Sequence, residues 1–166
     1  MSVLIYGAYG YSGTLVAERA AAIGLDFMVS GRDPARCAAL AGRLRPRDVV
    51  ALVGGLGAGK TTLARAILRA ASGEPALVVP SPTFTLAEIY DTPKGTFWHF
   101  DLYRLEAPEQ VFELGWEEAR ADGVALIEWA ERLGSLLPQE RLTVTLSIEG
   151  EGRRATLEGE ARLVEI

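Results

Sequence analysis

The chain alternates between short apolar runs, typical of buried strands, and longer amphipathic stretches, typical of helices. The apolar runs predict strands at residues 3–6, 25–30, 49–53 and 124–127. The amphipathic stretches predict helices at residues 14–23, 34–44, 61–71 and 109–121. Apolar strands that alternate with helices indicate an α/β fold with a parallel sheet.

Two later stretches alternate between apolar and polar residues on both sides of a short turn that contains glycine. Residues 84–90 and 96–100 flank the first turn, and residues 142–148 and 153–157 flank the second. Such alternation around a tight turn predicts an antiparallel hairpin. We therefore expect a mixed sheet that is mainly parallel.

The size and charge of the chain limit what it can do. It has 166 residues, 49% of them hydrophobic, which suffices for one packed core and is too little for two full α/β domains. The formal net charge is −5. This charge disfavours a broad nucleic-acid surface, because phosphate contacts need clustered lysine and arginine. Any role with RNA is therefore expected to act through a partner protein.

Cysteine and histidine are scarce. The sequence contains one cysteine, Cys37, and one histidine, His99. Neither an internal disulfide nor a zinc cluster of these residues can therefore form. The apolar N-terminal stretch lacks a basic leader and is interrupted by Gly7, Gly10 and Gly13. It has the pattern of neither a signal peptide nor a membrane span. We predict a cytoplasmic protein without a membrane partner.

The strongest chemical signal follows the apolar strand at residues 49–53. It reads Gly54-Gly55-Leu56-Gly57-Ala58-Gly59-Lys60-Thr61 and fits the phosphate-loop pattern GxxxxGK[ST] at every position. Successive backbone amides can wrap a phosphate there while the N-terminus of the next helix faces it. Lys60 would reach the β- and γ-phosphates, and the Thr61 hydroxyl would ligate Mg²⁺. The alternative is a glycine-rich turn without a ligand.

A phosphate loop needs a carboxylate for the metal or its waters, normally at the tip of a neighbouring buried strand. Glu128 follows the apolar residues 124–127, and Asp101 ends the run at residues 97–100 in the same manner. We predict that both side chains lie beside the phosphates, and the sequence leaves open which of them orients the attacking water. Either could instead cap a helix or end a strand in solvent.

Five segments, in this order and spacing, resemble the TsaE family of small bacterial P-loop ATPases from about residue 38 to the end of the chain. They read GGLGAGKTTLARAI, VPSPTFTLAEIY, WHFDLYRL, ELGWEE and ALIEWAERL. The resemblance implies a P-loop NTPase-like three-layer fold that binds and hydrolyses ATP to ADP with Mg²⁺. It also implies a role in making threonylcarbamoyladenosine in tRNAs that read ANN codons. TsaB-like and TsaD-like proteins would be the partners, and tRNA would be reached through them.

The resemblance also assigns roles to the matching residues of this chain. Lys60, Asp101 and Glu128 are expected in catalysis, and Thr61, Glu128 and Asp101 in the metal site. The expected nucleotide-binding residues are Gly54, Gly55, Leu56, Gly57, Ala58, Gly59, Lys60, Thr61, Thr62 and Trp129. Ordinary core packing is the alternative for Trp129. Since no arginine finger is evident in the sequence, we expect slow turnover and activation by a partner.

Three further interpretations concern residues near these motifs. Ser81, Thr83 and Thr85 lie in a loop similar to a GTPase switch, where a hydroxyl could sense the γ-phosphate, or are plain turn and strand residues. His99 is expected to be packed or to face a partner rather than to act as a catalytic base. Arg104 is expected in a salt bridge, with phosphate binding as the alternative.

The chain opens on a second glycine-rich turn, at residues 7–13, with the spacing GxxGxxG between a strand and a helix. With Arg32, it resembles the first β-α-β of a saccharopine dehydrogenase-like, NADP-binding Rossmann domain over residues 1–43. Since a dinucleotide needs two such halves, we expect no NADP binding. We predict a Rossmann-like segment at residues 1–37 that extends a P-loop ATPase domain at residues 38–166, as a natural or engineered fusion would.

Two other functions stay open at this point. A chimeric or designed protein that joins Rossmann and P-loop pieces would bind nucleotide without turnover. A small-molecule P-loop kinase would share the phosphate loop but would need an acceptor pocket and an arginine-bearing lid.

Overall fold

The structure is a computed structural model, and it describes residues 2–6, 26–30, 34–150 and 152–164. The strands are β1 (Ser2–Tyr6), β2 (Asp26–Ser30), β3 (Val49–Val53), β4 (Ala87–Thr92), β5 (Gly95–Asp101), β6 (Val124–Glu128), β7 (Leu142–Glu149) and β8 (Gly152–Glu158). The α-helices are α1 (Pro34–Arg43), α2 (Lys60–Ser72), α3 (Trp116–Asp122) and α4 (Ala161–Val164). The described residues also include two 3₁₀ helices, η1 (Pro108–Leu114) and η2 (Ala130–Leu136).

The described strands form one mixed sheet in the order β2-β1-β8-β7-β3-β6-β5-β4. Its centre is parallel, because β7, β3, β6 and β5 run side by side in one direction. Strand β4 is antiparallel to β5, and β8 is antiparallel to both β7 and β1. Both predicted hairpins and the mixed sheet are therefore confirmed.

Helices cover both faces of the sheet centre and bury a core on each side. On one face, α1, α2 and α4 pack on the sheet around Ile67 and Leu126. On the other face, η1, α3 and η2 pack around Phe100, Trp116 and Leu133. Strands buried on both faces need uninterrupted apolar runs, which is the pattern of β3 and β6. The result is a three-layer α/β/α arrangement.

The helix predicted at residues 109–121 is wrong as one element, because it is divided at Gly115. This residue has φ 84° and ends the 3₁₀ helix η1 before α3 begins. A Cβ at Gly115 would stand 2.5 Å from the Trp98 ring, so a residue with a side chain does not fit there. The tryptophan packs where a continuous helix would pass, and glycine accommodates both the ring and the positive φ.

The segment between α2 and β4 has no strand before Ala87, although the sequence predicted the hairpin to start at residue 84. Leu86 has φ 65°, and its backbone N–H donates to the Pro82 carbonyl at 2.6 Å. Arg65 and Arg69 of α2 donate to the carbonyls of Val79 (2.9 Å) and Leu77 (3.0 Å). These side-chain bonds replace part of a strand ladder and fix the segment beside α2.

Helix α4, which the sequence did not predict, is held by an ion pair. The Arg162 guanidinium bonds both carboxylate oxygens of Asp48, and this hydrogen bonding raises the pKa of Arg162 above its usual range. Asp48 precedes β3, and its carboxylate also accepts from the backbone N–H of Arg45 at 2.8 Å. The bidentate pair thus ties the end of the chain to the start of the central strand.

Strands β1 and β2 confirm the two strands predicted near the N-terminus, and they pair in parallel. The glycine-rich turn at residues 7–13, the predicted helix at residues 14–23 and Arg32 lie outside the described residues. Among the helices that the structure describes, none has the length and apolar character needed to cross a membrane.

Candidate nucleotide site

The phosphate loop joins the carboxyl end of β3 to the N-terminus of α2. Gly54 and Gly59 have φ values of 148° and 105°, which favour glycine. A Cβ on Gly54 would also collide with the Leu146 carbonyl oxygen of β7. The predicted glycine pattern therefore has a steric cause: the chain leaves a buried strand, passes close to β7 and turns sharply into a helix.

Lys60 lies at the start of α2 with its side chain folded back over the loop. Its Nζ donates to the carbonyl oxygens of Gly54 (2.6 Å) and Gly55 (2.9 Å), and it stands 3.8 Å from the centroid of the Trp129 ring. Burial lowers the pKa of Lys60, and nearby carboxylates, Glu128 first, act in the opposite direction. The ammonium group thus places a positive charge in the site.

Glu128 ends strand β6 and is buried next to the phosphate loop. Its Oε2 accepts from the Thr61 hydroxyl at 2.8 Å, and its Oε1 lies 2.8 Å from the His99 Nε2. Glu128 is therefore not a solvated strand end. It joins the loop helix to the core of the sheet through two hydrogen bonds.

Asp101 ends strand β5 directly opposite Glu128 in the parallel register. Its Oδ2 accepts from the hydroxyls of Ser81 (3.1 Å) and Thr83 (2.7 Å). Its Oδ1 accepts from the backbone N–H of Tyr103 at 3.1 Å. The predicted switch-like loop therefore meets the site through Asp101.

Two candidate residues have contacts that do not involve the phosphate loop. The Thr85 hydroxyl donates to Glu88 at 3.0 Å instead of facing the phosphate loop. The Arg104 guanidinium lies 4.9 Å from the centroid of the exposed Phe84 ring. The salt bridge predicted for Arg104 is not formed with any carboxylate that the structure describes; its guanidinium makes a cation–π contact with Phe84.

Trp129 has φ 58°, an unusual backbone conformation for a residue with a large side chain. Its ring contacts Lys60 on one side and lies 4.9 Å from the Tyr103 ring, centroid to centroid. It also packs against the core beneath η2. Trp129 thus packs against the core and also forms a wall of the site.

These side chains surround a cavity of about 330 Å³, a size at the lower end of small-ligand sites. It is lined by Leu56, Gly57, Gly59, Lys60, Thr61, Thr62, Ser81, Thr83, Asp101, Tyr103, Glu128 and Trp129. Of the predicted loop residues, Gly54 and Gly55 contact Lys60 through their carbonyls, and Ala58 is buried in the core.

Sequence reasoning missed the part that Tyr103 takes in this cavity. The signal for it was the spacing in Asp101-Leu102-Tyr103, because an aspartate side chain often accepts from the backbone N–H two residues later.

The oxygen groups of Thr61, Glu128 and Asp101 fit a magnesium ion. Within the ranges that the structure describes, no three His, Cys, Asp or Glu side chains are grouped so that they could hold a metal ion. Mg²⁺ commonly uses one or two carboxylates together with substrate phosphates and water. The donor set therefore suits an ion that arrives with a nucleotide better than a permanent metal centre.

Comparisons with known proteins identify the family of the chain. The family model described as "Threonylcarbamoyl adenosine biosynthesis protein TsaE" matches residues 32–156. The tRNA threonylcarbamoyladenosine biosynthesis protein TsaE of Rickettsia felis is 44% identical over 115 residues, 69% of this chain and 67% of that protein. Its Treponema pallidum counterpart is 37% identical over 127 residues, 75% of this chain and 92% of that protein.

A solved structure gives a similar result at the level of the fold. The crystal structure of Bacillus subtilis YdiB superposes with a TM-score of 0.56 and 29% sequence identity, covering 80% of this chain and 84% of that one. The family model alone covers well over half of the chain. The chain belongs to the TsaE family.

Proposed function

We propose that the chain binds ATP with Mg²⁺ and hydrolyses it slowly within the machinery that makes threonylcarbamoyladenosine in tRNA. The observation that carries the proposal is the hydrogen bond from Thr61 to Glu128, which joins the phosphate loop to a buried strand tip. Burying a carboxylate is costly, and a glycine-rich turn that binds no ligand would gain nothing from a buried carboxylate beside its threonine. The names of the TsaE relatives support the pathway.

In this proposal Lys60 exchanges partners when the nucleotide binds. Its two carbonyl acceptors hold the ammonium group at the mouth of the loop, where phosphate oxygens would replace them. The loop amides and the N-terminus of α2 would complete the cradle. Charge neutralisation and positioning would then supply most of the catalytic effect.

The two carboxylates have different parts in the proposal. Glu128 bonds Thr61 and would orient the threonine hydroxyl toward the metal. Asp101 accepts hydrogen bonds from the hydroxyls of Ser81 and Thr83. It would position these hydroxyls, or an attacking water, next to the γ-phosphate of the bound nucleotide. When bound, Mg²⁺ would neutralise charge on the phosphates.

Two exposed apolar side chains near the site support our proposal that other proteins activate the chain. Leu56 and Phe84 are more than four-fifths exposed, and both lie in segments that line or flank the cavity. Where exposed apolar side chains lie together on a surface, they commonly mark contact sites. We propose that TsaB-like and TsaD-like proteins bind here in the cytoplasm, and that tRNA is reached through them.

The N-terminal segment is proposed to be an added Rossmann-like β-α-β unit at residues 1–37, without bound NADP. The parallel pairing of β1 with β2 supports this assignment. The TsaE family model begins at residue 32, so it leaves most of this segment unmatched.

Phosphate release from MgATP, measured with and without TsaB-like and TsaD-like proteins, tests the function. We expect slow release from the chain alone and faster release with both partners. Lys60→Ala is expected to remove the activity. Lys94→Ala is the matched control, because Lys94 is exposed in the turn between β4 and β5. Equal release from the Lys60→Ala variant would overturn the proposal.

A further inference from the structure

His99 is a buried histidine that has no role in the proposed reaction as described so far. It lies in β5 with no side-chain exposure, and its Nε2 is 2.8 Å from the Glu128 Oε1. Its Nδ1 is buried without a hydrogen-bond partner in the described part of the chain. We infer that His99 is a positioning residue that orients Glu128 toward Thr61, an inference that rests on the proposed function.

The hydrogen on the His99 ring can be placed by considering the two nitrogens together. A buried N–H without an acceptor is rare in proteins, so a hydrogen on Nδ1 would be costly. A hydrogen on Nε2 points at a carboxylate oxygen, which accepts when it is ionised. His99 therefore donates through Nε2, and Nδ1 keeps its lone pair facing the core.

The two hydrogen bonds to Glu128 use different oxygens. Thr61 donates to Oε2 and His99 donates to Oε1, so both ends of the carboxylate are fixed. Glu128 lies on a strand whose residues are all buried, and the His99 ring of the neighbouring strand β5 reaches its Oε1. Without His99, one oxygen loses its donor and the carboxylate can rotate away from Thr61.

Packing alone does not account for a histidine at this position. The neighbouring strand residue on the same face, Phe97, is apolar and fully buried. An aliphatic side chain at residue 99 would fill the core without the cost of desolvating an imidazole. The polar ring is placed where it can reach one specific acceptor, the Glu128 carboxylate.

Two substitutions separate positioning from packing. His99→Leu fills the buried position with an apolar side chain and removes the donor, whereas His99→Gln keeps an N–H donor at a similar reach. We expect kcat for MgATP to fall about ten- to a hundredfold in His99→Leu, the range for losing a hydrogen bond to a charged group, and to recover largely in His99→Gln. Binding of ADP without metal, measured by calorimetry, is expected to stay within about twofold in both variants.

The native chain offers a readout that needs no turnover. Because His99 is the only histidine, its ring nitrogens give a single set of ¹⁵N NMR signals. We expect hydrogen on Nε2 and an Nε2 proton shifted downfield, and Glu128→Gln is expected to move that proton upfield because a neutral acceptor bonds more weakly. Glu131→Gln, at an exposed position three residues later, is the control and should leave the signals unchanged.

The outcomes are distinct. A wild-type chain that does not hydrolyse MgATP contradicts the proposed function, and the NMR result still decides whether His99 bonds Glu128. If the wild type is active, a His99→Leu variant of equal activity, or a His99→Gln variant as impaired as His99→Leu, overturns the positioning role. Hydrogen on Nδ1, or signals that ignore Glu128→Gln, also overturns it.

Discussion

Glu128 and Asp101 lie at the same level of two adjacent parallel strands, yet their carboxylates bind hydroxyl groups from different segments. Glu128 accepts from Thr61 at the start of α2. Asp101 accepts from Ser81 and Thr83 in the segment before β4. The site therefore consists of two half-sites. Glu128 and Thr61 of α2 form the fixed half-site, and Asp101 with the connecting segment that carries Ser81 and Thr83 forms the other.

The first prediction concerns the fixed half-site. Thr61→Val removes the hydroxyl but keeps the side-chain shape, which leaves one Glu128 oxygen without its donor. We expect MgATP turnover to fall about ten- to a hundredfold, as for the loss of a hydrogen bond to a charged group. Phosphate release measures it. Thr61→Ser keeps the hydroxyl and should retain most of the activity; equal loss in both variants would contradict this role for the hydroxyl.

The second prediction concerns the connecting segment. Removing both hydroxyls in a Ser81→Ala, Thr83→Val double variant releases residues 81–86 from Asp101. We expect amide hydrogen exchange in this segment to become about tenfold faster, while exchange in the central strands is unchanged. Thr85→Val is the control, because its hydroxyl bonds Glu88 instead. Unchanged exchange in the double variant would show that the Asp101 bonds do not hold the segment.

A third prediction tests the division of the helix at Gly115. Gly115→Ala is expected to lower the free energy of unfolding by about 1 kcal/mol for its positive φ and by about 1–3 kcal/mol more for overpacking against Trp98. Gly73→Ala is the matched control, since φ is 73° there and its Cβ would meet open space. Urea unfolding measures both variants. Equal losses would rule out the contact with the Trp98 ring as the cause.

The fourth prediction follows from the buried ammonium group of Lys60. Burial lowers its pKa below 10.5, so the unfolded chain keeps the proton to higher pH than the folded chain does. At pH values between the pKa of Lys60 in the folded chain and 10.5, the unfolded state binds more protons than the folded state. Over this pH range, Lys60 therefore makes the free energy of unfolding increase with pH. We expect the rise to be smaller in Lys60→Met. Bound nucleotide should raise the pKa, because phosphate charge favours the ammonium form.

NMR of the two lysines measures this pKa directly. Lys94→Arg leaves Lys60 as the single lysine and assigns its side-chain signal. A midpoint at or above 10.5 in the nucleotide-free protein would contradict the effect of burial.

The sequence predicts the parts of the site that are local in the chain. The phosphate loop is eight consecutive residues between a strand and a helix, and its steric demands appear directly as glycines. Glu128 and Asp101 were also predicted, because each follows an apolar run. Their separate hydroxyl partners were not, since Thr61 and Glu128 are 67 residues apart and meet only through the sheet order.

The features that the sequence did not reveal depend on contacts between distant elements. His99 bonds Glu128 because β5 lies next to β6, and nothing local to either residue encodes that pairing. The helix at residues 109–121 has a continuous helical pattern, yet the Trp98 ring divides it at Gly115. The ion pair of Arg162 with Asp48 spans 114 residues. In the helix, tertiary packing overrode the local preference, whereas the other two contacts join residues that are distant in the sequence.

Calorimetric titration of the nucleotide-free protein with MgATP tests the central claim most directly. We predict one binding site per chain in the wild type and in Lys94→Ala, and loss of binding in Lys60→Ala. The absence of binding to the folded wild-type protein, or equal affinity in the Lys60→Ala variant, would contradict the assignment of residues 54–61 as a phosphate-binding loop.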